Sequence, residues 1–391
     1  MKAVTTFEQF RDSLIDNTQM MSFDEFKEKT NLHGFWNKIK DDDHRKEFFE
    51  NKEEFLKFYY NYFIVNIDWL LLAFYRQYVS YKGKLDFDYN IAPLKNNTIK
   101  QNTDNTGYFR SVFHVEMAET QQRVGQSIKN TIHNLYHEAK FVGFALLPRF
   151  IFRHIKHSRL HDVPEAMVVT MKTQCGWPSV FSQSVYRALL HHTKQFADIP
   201  VKDLLCPTAS WGSPVVAARH QGYDNVHLVD VMGSALEKCH KIYNDTKPTT
   251  LSLFDDEITD YQLKTFCTPS EKMAQVLPIE YDQIFFCPPY FTLERYPGEE
   301  QSTNQYSDYQ SWLEKYWRAT CRESDKVLKK GGTYTFVIST ILDGVNIADD
   351  LTRIASEFFT HVNDSKIVPL KKNLNFENDA RFEKVITFKK V

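Results

Sequence analysis

The chain has 391 residues, 42% hydrophobic and 25% charged, enough for two or three domains with ordinary cores. Its formal net charge of -2 excludes a uniformly basic coat for nucleic acid, so any contact with phosphate must come from a local patch. Phe and Tyr number 31 and 20 against 13 Gly, which points to aromatic cores first and stacking surfaces second.

The N-terminal stretch "MKAVTTFEQFRDSLIDN" carries acids where a signal peptide needs an apolar core. The most apolar window, Phe63 to Tyr75, is interrupted by Asn66 and Asp68 and is too short to span a bilayer; it reads as a buried helix. The six cysteines include no C-x-x-C pair, which argues against zinc spacing and for reduced thiols. The expectation is a protein of the cytoplasm or, in a eukaryotic host, the nucleus, neither secreted nor in a membrane.

The first third reads as helical. Ser22 and Glu25 in "SFDEFKEKTNLHGFWNKI" have capping-box spacing, and Phe49, Leu56, Tyr60 and Phe63 recur at helical intervals. From Tyr81 to Tyr108 the period fails, and "PLKNNTIKQNTDNTG" reads as a loop. A second helical block covers about 115 to 161. It ends in "RFIFRHIKHSRLH", where Arg149, Arg153, Lys156 and Arg159 stand with three His and no acid. That run is either an electrostatic footprint for phosphate or the basic face of a solvated helix.

After Pro164 the texture changes. Short apolar runs, "VKDLLCP", "VHLVDV", "TLSLF", "YDQIFFCPP" and "TYTFVIST", alternate with helix-length segments, the pattern of β-α-β units and a mostly parallel sheet. The last two strand candidates, near 366–370 and 382–389, lack a helix between them and should pair antiparallel. The reading divides the chain into a helical domain at 1–164, for recognition or oligomerisation, and an α/β domain at 165–391. The last strand ends two residues before Val391, so no C-terminal recognition domain is expected.

In open α/β sheets ligands sit beyond the carboxyl ends of the strands, and three features of this half fall there. The turn "CPTASWGS", Cys206 to Ser213, feeds a helix and can offer backbone N–H groups to a carboxylate. Asp230 ends the second strand, placed either to accept bonds from a ribose diol or to cap the next helix. The strongest feature is "FCPPYF": Pro288 and Pro289 hold the backbone rigid and leave carbonyls free to accept, and Tyr290 offers a face for a planar base.

In this order the segments resemble the S-adenosyl-L-methionine (SAM)-dependent amino-methyltransferases of adenine N6 or cytosine N4 in DNA. The motif of that family is Asp, Asn or Ser, then Pro-Pro and an aromatic. Phage- and virus-like members with Ser-Pro-Pro-Tyr-Phe are most similar, with "TLERYPGEEQS", "YQSWLEKYW" and "VLKKGGTY" following here. The resemblance covers about residues 170 to 391. It implies a Rossmann-like SAM-dependent methyltransferase sheet with an antiparallel last strand, and SAM as cofactor. It places the methionine end of SAM against Cys206, Thr208, Ser210 and Gly212, and the ribose on Asp230. The segment "GWPSVF" supplies Trp177, Ser179 and Phe181, and "TPSEKM" brings Ser270 and Glu271 to the adenine.

The catalytic set it implies is Cys287, Pro288, Pro289 and Tyr290, with Phe291 beside them facing nucleic acid. Two departures stand out. Cys206 and Ser210 replace an acid and a glycine of the turn, and Cys287 replaces an oxygen acceptor by a thiol, a poor one. The expected partner is DNA, with RNA left open, and target choice falls to the helical half, to loops, to a homo-oligomer or to a partner subunit. Two alternatives remain: a catalytically silent methyltransferase-like protein that binds nucleic acid or stabilises a partner, and pyrimidine chemistry with Cys287 as nucleophile.

Overall fold

The computed structural model describes residues 5–16, 19–39, 49–83, 85, 87–100, 106–122, 126–141, 163–247, 260–339, 345–368 and 382–391. The basic run at 149–161 and the strand candidate "TLSLF" lie outside them. The chain divides into two compact units, Met1–Gly83 with Arg110–Pro178 and Lys84–Phe109 with Ser179–Val391.

The first unit is mainly helical. Ser22 caps the helix Phe23–Lys29 by accepting the Glu25 N–H at 3.2 Å, and the Asn51 side chain caps Lys52–Tyr60 through two backbone N–H groups. The apolar window forms a π-helical turn, Asn61–Val65, and the helix Ile67–Phe74, burying Phe63, Ile64, Leu70, Leu71 and Phe74. Much of the aromatic excess is core: Phe26, Tyr59 and Phe63 surround Phe141 at ring centroid distances of 6.0, 5.3 and 5.4 Å. No helix among the described residues is long and apolar enough to cross a membrane.

The second unit is built on an eight-stranded sheet: β1 (Thr98–Lys100), β2 (Asp203–Cys206), β3 (Asn225–Asp230), β4 (Gln262–Cys267), β5 (Tyr281–Phe286), β6 (Leu328–Ser339), β7 (Thr360–Val368) and β8 (Glu383–Lys389). Their order across the sheet is β1-β7-β8-β6-β5-β2-β3-β4. The strands from β4 to β6 run parallel and β8 runs antiparallel between β6 and β7. This is the Rossmann-like sheet with an antiparallel last strand. All six residues of β5 are buried, as expected for a central strand covered on both faces.

Two strands were hidden from sequence reading. β4 is an edge strand in which Gln262 and Lys264 break the apolar run. β1 lies in the Asn-rich stretch read as loop: Asn96 and Asn97 take positive φ, and Lys95 and Thr98 bridge across the turn. β1 then pairs with β7, more than 260 residues away, a contact no local pattern announces. The Gly331-Gly332 pair reflects close packing, since a Cβ on Gly332 would stand 2.7 Å from the Asp282 carbonyl oxygen.

The chain leaves β2 toward β3 and β4 on one side, and leaves β5 toward β6 and β8 on the other. The sheet order therefore reverses between β2 and β5, and a crevice opens beyond their carboxyl ends.

Candidate active site

Three turns converge on that crevice. After β2 the backbone runs through Pro207 to Gly212, where Ser210 (φ 52°) and Gly212 (φ 77°) both adopt left-handed conformations before the short helix Ser213–Ala217. Gly tolerates this without strain; a serine costs about 1–2 kcal/mol there. Ser210→Gly should therefore stabilise the protein by about 1 kcal/mol after the added unfolded-state entropy of glycine. A rise in thermal midpoint for Ser210→Gly, with none for Ser210→Ala, checks this.

The turn is tied to its neighbours by hydrogen bonds. The Asp230 carboxylate accepts the Ala209 N–H at 3.1 Å and the Met232 N–H at 2.9 Å. It does not cap the helix Gly233–Asp245, whose first turn carries no side-chain cap bond. The Thr208 hydroxyl donates to the Cys287 carbonyl at 2.9 Å, locking the β2 turn to the loop after β5. Desolvation lifts the Asp230 carboxyl to about 6, despite those N–H bonds.

The loop after β5 is Cys287 to Phe291. The ring of Phe291 (φ 45°) packs on Tyr309 at 5.5 Å and on Trp312 at 5.7 Å. The half-buried Phe291 ring thus rests against the core and anchors the loop. Tyr290 lines the crevice, and its hydroxyl donates to Glu383 Oε1 at 3.1 Å. Burial, then the negative charge of Glu383, hold the Cys287 thiol well above its ordinary range. A thiolate nucleophile is therefore disfavoured at this position.

A single cavity of about 330 Å³ joins these parts, a volume in the range of small-molecule sites. Its lining belongs wholly to the second unit. Ser179, Phe181, Thr208, Ser210 and Asp230 face it, as do Ser270, Glu271 and all four residues from Cys287 to Tyr290. Ser270 also bonds to the Thr320 hydroxyl, and Glu271 accepts from Tyr306. Three residues assigned to the cofactor from sequence stand off the lining, as does Phe291. Trp177 belongs to the first unit and packs on Phe74. Gly212 shapes the turn from behind, and Cys206 is fully buried beside the Tyr186 hydroxyl, its thiol pushed up to about 12. Arg149, Arg153, Lys156 and Arg159 lie outside the described residues.

Sequence reading missed part of the wall. Trp211 and Tyr296 meet across it, ring centroids 5.8 Å apart, and Glu294, Glu300 and Glu383 add carboxyl groups to those of Asp230 and Glu271. Among the described residues, no Lys, Arg or His lines the cavity. Such a wall suits a cationic ligand and repels phosphate.

No family model and no curated protein matches the chain. Among solved structures it is similar to the N-methyltransferase NodS from Bradyrhizobium japonicum WM9, at 12% identity and TM-score 0.36 over 53% of this chain and 95% of that one. NodS has also been solved in complex with S-adenosyl-L-homocysteine. A SAM-dependent methyltransferase from Clostridium acetobutylicum ATCC 824 is similar at 12% identity and TM-score 0.36, covering 52% of this chain and 90% of that one. Likenesses this distant transfer neither substrate nor activity.

Proposed function

We propose that the protein is a SAM-dependent methyltransferase acting on an exocyclic amino group of adenine or cytosine in DNA. One observation carries the reading: the β2 turn, Asp230 and the Cys-Pro-Pro-Tyr loop meet on one cavity at the point where the sheet order reverses. The residues present fit the cofactor. The carboxylate of Asp230 suits a ribose diol, Glu271 lies beside Ser270 for an adenine amino group, and the acidic wall suits a molecule with a sulfonium and an ammonium group. When bound, SAM supplies a methyl group on positively charged sulfur.

The remaining work is positioning. Pro288 and Pro289 fix the loop, and the Pro288 carbonyl is the acceptor we assign to the target amino group. Tyr290 supplies a stacking face whose ring is held by Glu383. Contact with the DNA backbone falls to Arg149, Arg153, Lys156 and Arg159, the residues we assign to it.

The experiment is methyl transfer from SAM to duplex DNA, read by mass spectrometry of the nucleosides. N6-methyladenine or N4-methylcytosine is expected. Cys287→Ser and Cys287→Asp should hold or raise the rate, since each restores an oxygen acceptor worth about 1–3 kcal/mol at a buried donor, roughly ten- to a hundredfold. Inactivation by Cys287→Ser, together with a covalent adduct on a 5-fluoropyrimidine substrate, would establish the nucleophile reading instead. Binding of S-adenosyl-L-homocysteine without transfer by wild type or by either variant would establish a silent protein.

A further inference from the structure

We infer that Glu383 is the acceptor and proton sink for the substrate amino group, in place of the oxygen that the loop lacks at Cys287. The inference deepens the methyltransferase reading and rests on it.

Glu383 begins β8, the antiparallel strand, and its Cα faces Ser339 of β6 on one side and Ile367 of β7 on the other. That register brings a carboxyl group to the carboxyl-end rim of the parallel strands, where it lines the cavity with Cys287, Pro288 and Tyr290. One oxygen accepts the Tyr290 hydroxyl at 3.1 Å. An ionised carboxyl offers about four acceptor sites on two oxygens, so this bond orients the group and leaves capacity for a second donor. Tyr290 and Glu383 thus form one unit: the ring that stacks the base is bonded to the group that receives its amino hydrogen.

The chemistry balances. As the amino nitrogen forms its bond to the methyl carbon, the methyl–sulfur bond breaks and its electron pair stays on sulfur, leaving a neutral thioether. The nitrogen becomes cationic and must lose one proton. Glu383, ionised before the step, takes that proton and ends as the neutral acid, which solvent then deprotonates. Desolvation raises the Glu383 carboxyl above its ordinary range, the Tyr290 bond lowers it, and the neighbouring Glu294 raises it. Such a carboxyl is a stronger base than an exposed one. Among the described residues, the groups facing it are Tyr290 and Cys287 on the loop after β5, Glu294 beyond it, and the uncharged Ser339 and Ile367. Lys384, next on the same strand, is engaged with Asp349.

The test compares wild type with Glu383→Gln, Glu383→Asp and the pair Glu383→Gln with Cys287→Asp. Three quantities are read: calorimetric binding of S-adenosyl-L-homocysteine, the rate of methyl transfer to duplex DNA at saturating SAM across pH, and the carboxylic C=O infrared band of the free protein. Binding should persist in every variant, which shows that the cofactor site is folded. Glu383→Gln should lose transfer by about a hundredfold, and its acid limb should flatten. Glu383→Asp should keep the limb at a reduced rate. Restoring an acceptor with Cys287→Asp should recover part of the lost rate. In the infrared difference, wild type should show a carboxyl band persisting above the usual carboxylate range that Glu383→Gln lacks. Transfer by Glu383→Gln within twofold of wild type, or absence of that band, overturns the role of Glu383 and leaves the methyltransferase reading standing. Wild type that does not methylate DNA, whether or not it binds S-adenosyl-L-homocysteine, overturns both.

Discussion

Asp230→Ala is expected to weaken binding of S-adenosyl-L-homocysteine by about a hundredfold or more. Two bonds from a ribose diol to a carboxylate contribute about 1.5 kcal/mol or more each, and 1.4 kcal/mol is a factor of ten. The pH dependence carries the same signature. The folded Asp230 carboxyl titrates at about 6, raised by desolvation, above the ordinary Asp value of about 3.9. A raised carboxyl adds stability that is fully present below the unfolded value and is lost as pH rises through 6. The free protein should therefore give up part of its thermal midpoint between about pH 4 and 6, and Asp230→Asn should remove that part of the slope. Ligand hydroxyls favour the ionised form, so affinity should run the opposite way and fall as pH drops below about 6. Calorimetry at several pH values measures this directly. Affinity independent of pH in wild type and unchanged in Asp230→Ala would place the ribose elsewhere.

Tyr290→Ala should reduce kcat/KM for DNA methylation by a hundredfold or more, with cofactor binding largely kept. Two losses combine: the stacking face, worth about 1–3 kcal/mol per base, and the hydroxyl that fixes Glu383 at 3.1 Å. Tyr290→Phe separates them, since it keeps the ring and removes only the bond. It should cost about tenfold, in line with about 1.5 kcal/mol for a hydrogen bond to a charged group. If Tyr290→Phe were as damaging as Tyr290→Ala, stacking would not be the role of the ring. If Tyr290→Ala retained full transfer, the loop after β5 would not hold the base.

Much of the α/β half was legible in the chain because its signals are local. The run "YDQIFFCPP" is continuously apolar and stops at two prolines, and β5 is the fully buried strand that ends there. Asp230 follows an apolar run that ends on a polar residue, and it stands at the end of β3, facing the cavity. In the helical unit, Ser22 caps the helix that follows it because its side chain reaches the Glu25 N–H three residues on. In each case the determining contact lies within a few positions of the residue itself.

What tertiary structure alone decided lies at long sequence separation. The Asn-rich stretch became strand β1 only because β7 offered it an edge. The contacts of the half-buried Phe291 ring come from Tyr309 and Trp312, farther along the chain, because covering apolar surface is favourable. Glu383 reads in sequence as one acid in a polar strand start. The antiparallel register of β8 against β6 and β7 carries it across 93 residues to the Tyr290 hydroxyl. Strand pairing fixes such positions through backbone hydrogen bonds that are indifferent to which side chain they bring along, so the amino-acid order could name the loop but not the carboxylate set against it.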